Sequence, residues 1–271
     1  MHDHDRGLEF DLATLRSRRN VLALFGGASL AVLAGCGTGS DATPTPTSTT
    51  TTTTGGAGTT AASGSLEEIP EETAGPFPGD GSNGPNVLTE SGIVRSDIRT
   101  SFGDASGTAD GVPLRFELTV VEADTGAPLA GAAVYLWHCD RDGAYSLYSD
   151  AAADQNYLRG VQEADEAGKL AFSSIFPAAY SGRWPHAHFE VYRSLADATS
   201  AGAKLTTSQL ALPQDVCEAV YATDGYDQSV RNLEQTSLER DNVFSDGWDT
   251  QLAAVTGDVT TGYLATLTVP V

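Results

Sequence analysis

Apolar and polar positions alternate along much of the second half of the chain, the signature of half-buried β-strands. Leu114, Phe116, Leu118 and Val120 share one face of such a run, and Arg115, Glu117 and Thr119 share the other. Gly126, Pro128 and Gly131 supply turn chemistry before a second strand over Ala133 to Trp137, and Asp140 to Gly143 forms the next turn. Further strands are predicted over Lys169 to Phe172, after a turn at Gly168, over His186 to Tyr192, and over Tyr263 to Val269. Short strands punctuated by Gly, Pro and Asp predict an all-β (mainly β) fold, a β-sandwich with a few short helices. Pro213 to Tyr221 reads as one of those helices, since proline suits a helix start. Ser237 to Asp241 reads as a further helical turn.

The amino-terminal part has a different texture. Ser17-Arg18-Arg19-Asn20-Val21-Leu22 precedes an apolar Gly/Ala-rich stretch that ends in Leu33-Ala34-Gly35-Cys36. Basic residues, a short apolar core and small residues at the end read as an export signal over residues 1–36. The paired arginines point to the twin-arginine route, and the last four residues resemble a lipobox with Cys36 as the lipidated residue. The apolar stretch is short for a bilayer span. Residues 37–65 are rich in Thr, Pro, Gly and Ala, too poor in large apolar side chains to fold, and read as a flexible tether. The expectation is an exported protein held by a lipid anchor on the outer face of the cell membrane, with one folded domain over residues 66–271.

The formal net charge of -21 excludes nucleic-acid binding, which needs basic patches, and only two lysines occur, Lys169 and Lys204. With Cys36 assigned to the lipid, Cys139 and Cys217 remain as an even pair in an oxidising compartment, so a disulfide between them is expected.

Candidate chemistry concentrates at His186 and His188. The chain has five histidines, and His2 and His4 lie ahead of the export signal. Residues i and i+2 of a strand point to the same face, so both imidazoles can reach one ion. Half-exposed histidines on an ordinary strand are the competing explanation. Tyr180 lies six residues before His186, and Tyr145 follows the second strand. Phenols ionise near pH 10 in water, so only a strongly Lewis-acidic ion holds them as ligands at neutral pH. Hard anionic oxygen favours Fe(III) over zinc or copper(I).

The run from Tyr157-Leu158-Arg159-Gly160 through Tyr180, Arg183, His186 and His188 resembles the intradiol ring-cleavage dioxygenases, the catechol and protocatechuate dioxygenases. Three more stretches resemble that family: Glu72-Thr73-Ala74-Gly75-Pro76-Phe77, Trp137 to Tyr145, and Thr207-Ser208-Gln209-Leu210. The likeness covers about Glu67 to Tyr221. It implies the family's β-sandwich and a non-haem Fe(3+) held by Tyr145, Tyr180, His186 and His188. It further implies that Tyr180 leaves as a catechol binds, that Arg183 stabilises charge on the ring, and that Gln209 supports the site. O2 would then cleave a catechol-type ring between its hydroxyl-bearing carbons to give a muconate-type diacid. Tyr148 competes with Tyr145, but the spacing from Trp137 favours Tyr145. His138 reads as structural, and Arg159 and Asp165 as turn-holding residues.

The chain departs from the family pattern at Pro177-Ala178-Ala179, where Pro-Gly is usual, and in a short Tyr180–His186 loop that lacks pocket-shaping aromatics. A transthyretin-like surface-binding module without catalysis shares the turn and strand around Gly126 to Trp137. A zinc or copper site with a hydrolytic or structural role remains a third reading.

Overall fold

The structure, a computed structural model, describes residues 65–200 and 202–271. The export signal and almost all of the tether therefore lie outside the described residues. No helix among the described residues is long and apolar enough to cross a membrane.

Among the described residues eight strands form two four-stranded sheets. In chain order they are β1 (Pro113–Val121), β2 (Ala133–Trp137), β3 (Arg159–Glu163), β4 (Lys169–Ile175), β5 (His186–Tyr192), β6 (Lys204–Ala211), β7 (Ala254–Asp258) and β8 (Gly262–Pro270). One sheet has the order β4-β1-β8-β7 and the other β3-β2-β5-β6. All pairings are antiparallel except β1 with β8. The α-helices among the described residues are short: α1 (Leu195–Ala198), α2 (Gln214–Tyr221) and α3 (Asp227–Leu233). The mainly β sandwich expected from the alternation is what forms.

Alternation decides which residues meet between the sheets. Leu114, Phe116 and Leu118 of β1 pack there with Val134 and Leu136 of β2 and Ala187, Phe189 and Val191 of β5. Each large apolar side chain so buried contributes about 1.5–3 kcal/mol. The second sheet is covered on its outer face too, so β2 and β5 are buried along their whole length. His186 and His188 are 2% and 3% exposed, which removes the competing explanation of half-exposed histidines on an ordinary strand.

The cover over that outer face includes residues 69–80, an irregular strap. The Ile69 amide donates to the Pro270 carbonyl at 3.0 Å and the Glu72 amide to the Thr207 carbonyl at 2.7 Å. Further along, Tyr135 Oη donates to the Pro78 carbonyl at 2.7 Å, and Lys204 bridges Asp80 and the buried Glu190.

Helix α2 begins just after Pro213, which serves as its N-cap residue. Over Ser237–Asp241 the chain makes only a hydrogen-bonded turn, closed onto the Ser237 carbonyl. The expected Cys139–Cys217 disulfide is absent, and both thiols are free and buried. The reason is placement. Cys217 packs in the core between the sheets, Cys139 in the cluster on the outer side of the second sheet. Each sulfur faces its own carbonyl, Cys139 that of Ala178 and Cys217 that of Leu212.

Candidate metal centre

Strand register builds the floor of the site. Trp137 on β2 lies opposite Arg159 on β3 and opposite His188 on β5, and His188 lies opposite Gln209 on β6. These four residues form one row across the outer face. The Trp137 indole stacks on the His188 imidazole, with centroids 4.9 Å apart and planes 7° from parallel. His186 stands on the same face two residues earlier. Tyr180 and Arg183 come from the loop that leads into β5, which Gly182 turns at φ 81°. Tyr145 comes from the loop after β2, which Gly143 turns at φ 86°. A Cβ on Gly143 would stand 3.3 Å from Tyr180 Cβ, so its bareness lets the two tyrosine loops approach.

The functional atoms converge. His186 Nε2 lies 3.1 Å from His188 Nε2, 3.2 Å from Tyr180 Oη and 3.4 Å from Arg183 Nη1. His186 Nδ1 faces the Trp184 carbonyl, which can only accept, so the ring proton sits on Nδ1 and Nε2 carries a lone pair. Tyr145 completes the group edge-on, its ring centroid 6.0 Å from Tyr180 and 6.2 Å from His188. Its hydroxyl is buried beside Tyr180 yet finds no hydrogen bond of normal geometry, and His188 Nδ1 is buried without one as well. Burial, with Arg183 nearby, holds the His186 imidazole well below its ordinary pKa; burial and His186 do the same for His188. Burial and the neighbouring Tyr180 push the Tyr145 phenol well above the usual tyrosine range.

Donors that each bond one ion at about 2.0–2.1 Å lie about 3 Å from one another. The spacing of Tyr180 Oη, His186 Nε2 and His188 Nε2 fits a shared ion, and Tyr145 offers a buried oxygen without a well-formed hydrogen bond. Two imidazoles and two phenols suit Fe(III). Among the described residues no group of three or more His, Cys, Asp or Glu side chains gathers to hold a metal.

Behind the donors, Arg183 is 1% exposed and held on two sides. Its Nε donates to Asp241 Oδ2 at 2.9 Å and its Nη2 to Gln209 Oε1 at 2.6 Å. Gln209 in turn donates from Nε2 to the Thr73 carbonyl of the strap at 2.9 Å. Asp241, fully buried, also accepts from the backbone amides of Trp184 and Val243. Sequence reasoning missed Asp241, which stands 58 residues from its partner.

The remaining candidates sit elsewhere. Tyr148 Oη bonds Gly79 and Asn83, so it serves the strap. His138 is tied to the Cys139 carbonyl and Ser174 Oγ, and burial lowers it to about 4. Asp165 holds its turn through the amides of Ala167 and Lys169. Arg159 holds no turn of its own: it lies in β3 with its side chain buried against the strap.

Glu72 gives the site a measurable pH dependence. Burial, reinforced by Asp246 and opposed by Arg183, raises its carboxyl from 4.5 to about 7. The folded protein binds this proton more tightly than the unfolded chain. The group's contribution to stability is therefore fully present below pH 4.5 and is lost as the pH rises through about 7. Glu72→Gln is expected to flatten the fall in urea midpoint between about pH 5 and about pH 7.5. Identical slopes for the two proteins would contradict the assignment.

A family model, Dioxygenase_C, described as Dioxygenase, matches residues 83–209, a span that includes Tyr145, Tyr180, Arg183, His186, His188 and Gln209. A chlorocatechol 1,2-dioxygenase of Rhodococcus opacus is 42% identical over 60 residues, 22% of this chain and 23% of that protein. Another, of Pseudomonas sp. (strain P51), is 43% identical over 60 residues, 22% of this chain and 24% of that protein. The matched stretch thus spans less than a quarter of either curated relative. Among solved structures, an intradiol ring-cleavage dioxygenase from Tetranychus urticae superposes with a TM-score of 0.60 at 23% identity, covering 76% of this chain and 94% of that one. That likeness concerns the sandwich alone, while the family model covers the stretch that carries the convergent donors. Over residues 83–209, a little under half of its length, the chain is similar to the dioxygenases that this family model describes.

Proposed function

We propose that this protein is an Fe(III)-dependent dioxygenase that opens a catechol-type ring between its two hydroxyl-bearing carbons, consuming O2 and yielding a muconate-type diacid. One observation carries the reading: Tyr180 Oη, His186 Nε2 and His188 Nε2 converge beside a buried Tyr145 hydroxyl that makes no hydrogen bond of normal geometry. Bound there, a ferric ion would draw electron density from a coordinated catecholate and open its ring carbons to O2.

Burial assigns the parts that side chains play. Tyr145, His186 and His188 are buried, whereas Tyr180 is half-exposed at the head of a loop turned by Gly182. Tyr180 is therefore the donor placed to leave, and its phenolate oxygen accepts a proton from the incoming catechol hydroxyl. Arg183 is fixed by Asp241 and Gln209, so its positive charge is preorganised to stabilise negative charge that develops on the ring. Trp137 and Phe244 pack against the two imidazoles and exclude water from behind them. A surface-adhesion module has no use for four donors gathered below the surface, which weighs against the transthyretin-like reading.

The chemistry is tested by turnover of a catechol panel under 18O2. Ring cleavage of this type places two labelled oxygen atoms in the diacid product. A single label, or no consumption of O2, would sink the proposal.

The paired arginines at 18 and 19 and the run ending in Cys36 support export and lipid tethering outside the cell membrane. Cys36→Ser is expected to move the protein from the membrane fraction to the soluble fraction. Unchanged partition would remove the anchor from the proposal.

A further inference from the structure

The row that carries His188 ends in Arg159, whose side chain is 1% exposed. Its Nε donates to Ser146 Oγ at 3.0 Å, its Nη1 to the Pro78 carbonyl at 2.8 Å and to Tyr135 Oη at 3.0 Å, and its Nη2 to the carbonyls of Phe77 and Ser146, both at 2.9 Å. Every N–H of the fork is thus spent on a neutral oxygen. Burying a cation against neutral oxygens alone is expensive, and β3 needs only an apolar filler at this point.

The partners share a location. Phe77 and Pro78 belong to the strap, and Ser146 directly follows Tyr145. The rings of Phe77 and Tyr145 meet at 5.2 Å with planes tilted by 37°. One rigid guanidinium therefore sets the distance between the strap and the Tyr145 loop. Gly79, at φ 68°, makes the approach possible, since a Cβ there would come within 2.9 Å of Arg159 Nη1. Ser146 Oγ continues the chain of bonds to the Tyr157 carbonyl at 2.7 Å. Lysine cannot substitute, because a single ammonium has three donors and no planar fork.

We infer that Arg159 is a positioning residue, one that fixes the Tyr145 hydroxyl and the Phe77 wall beside it from behind without touching substrate. This rests on Tyr145 being a metal ligand. The test compares full-length wild type with Arg159→Lys and the milder Ser146→Ala, each loaded with Fe(III). Far-UV circular dichroism, the visible phenolate-to-iron absorption, kcat and KM are measured for each. Arg159→Lys is expected to keep its far-UV spectrum, displace the visible band and lower kcat about 10–100-fold, the range for outer partners of metal ligands. Ser146→Ala is expected to displace the band in the same direction by less, and it decides the matter if Arg159→Lys does not fold. A lower melting temperature with an unchanged band and unchanged kcat per iron would make Arg159 structural only and overturn the inference. If wild type itself shows no such band, the ligand reading has failed, and metal-free protein decides. The near-UV dichroism difference between wild type and Tyr145→Phe should then shrink in the Arg159→Lys background. An undiminished difference would overturn the inference on that route too.

Discussion

His188→Leu is expected to fold normally while losing iron and turnover. Leucine fills a similar volume against Trp137, which stacks on the native imidazole. The buried imidazole is held neutral by burial and by His186, so no charge partner is stranded by its removal. Its Nδ1 makes no hydrogen bond of normal geometry, only a weaker approach to the Thr73 backbone, so its removal forfeits little stability. The metal-free variant should therefore unfold at a urea concentration close to that of metal-free wild type. Function goes the other way. Outer partners of metal ligands alone cost about 10–100-fold, so loss of a ligand should cost more than about 100-fold in iron affinity and kcat. A side chain retained for the fold would give the opposite pattern, a lower midpoint with activity per folded molecule preserved.

Asp241→Leu should damage stability most. Asp241 is fully buried, pairs with the equally buried Arg183 at 2.9 Å and accepts from the amides of Trp184 and Val243. Breaking such a pair from one side leaves an uncompensated charge and costs about 3–5 kcal/mol. The orphaned Trp184 and Val243 amides add to that cost. Equilibrium urea unfolding measures the loss, and a change below about 1 kcal/mol would show that Arg183 finds another partner. Arg183 would also lose its bearing toward His186, so the folded remainder should turn over more slowly.

The two effects show what local pattern can reveal and what it cannot. β1, β4, β5 and β8 were legible because apolar residues alternate in them, and β2 because it is an unbroken apolar run between turns. β6 and β7 escaped notice for different reasons. The Thr206-Thr207-Ser208-Gln209 stretch of β6 is polar but buried beneath the strap, and β7 is an exposed edge strand containing Gly257. Tyr180, Arg183, His186 and His188 could be read because they lie within nine residues of one another. Asp241 could not, because a lone aspartate in a turn carries no sign of a partner so far away. The strap is fixed largely through main-chain carbonyls, which any residue supplies, and it left little trace beyond Glu72 to Phe77. The cysteines misled because an even count says nothing about which side of a sheet each thiol occupies.

The two phenols and two imidazoles converging at one point are tested most directly by the visible spectrum of purified, metal-analysed protein, before and after a catechol is added under nitrogen. Iron at one equivalent with a red to burgundy phenolate-to-iron band, displaced by the catechol, is the expected result. A colourless protein with stoichiometric zinc, or a band indifferent to catechol, would contradict it.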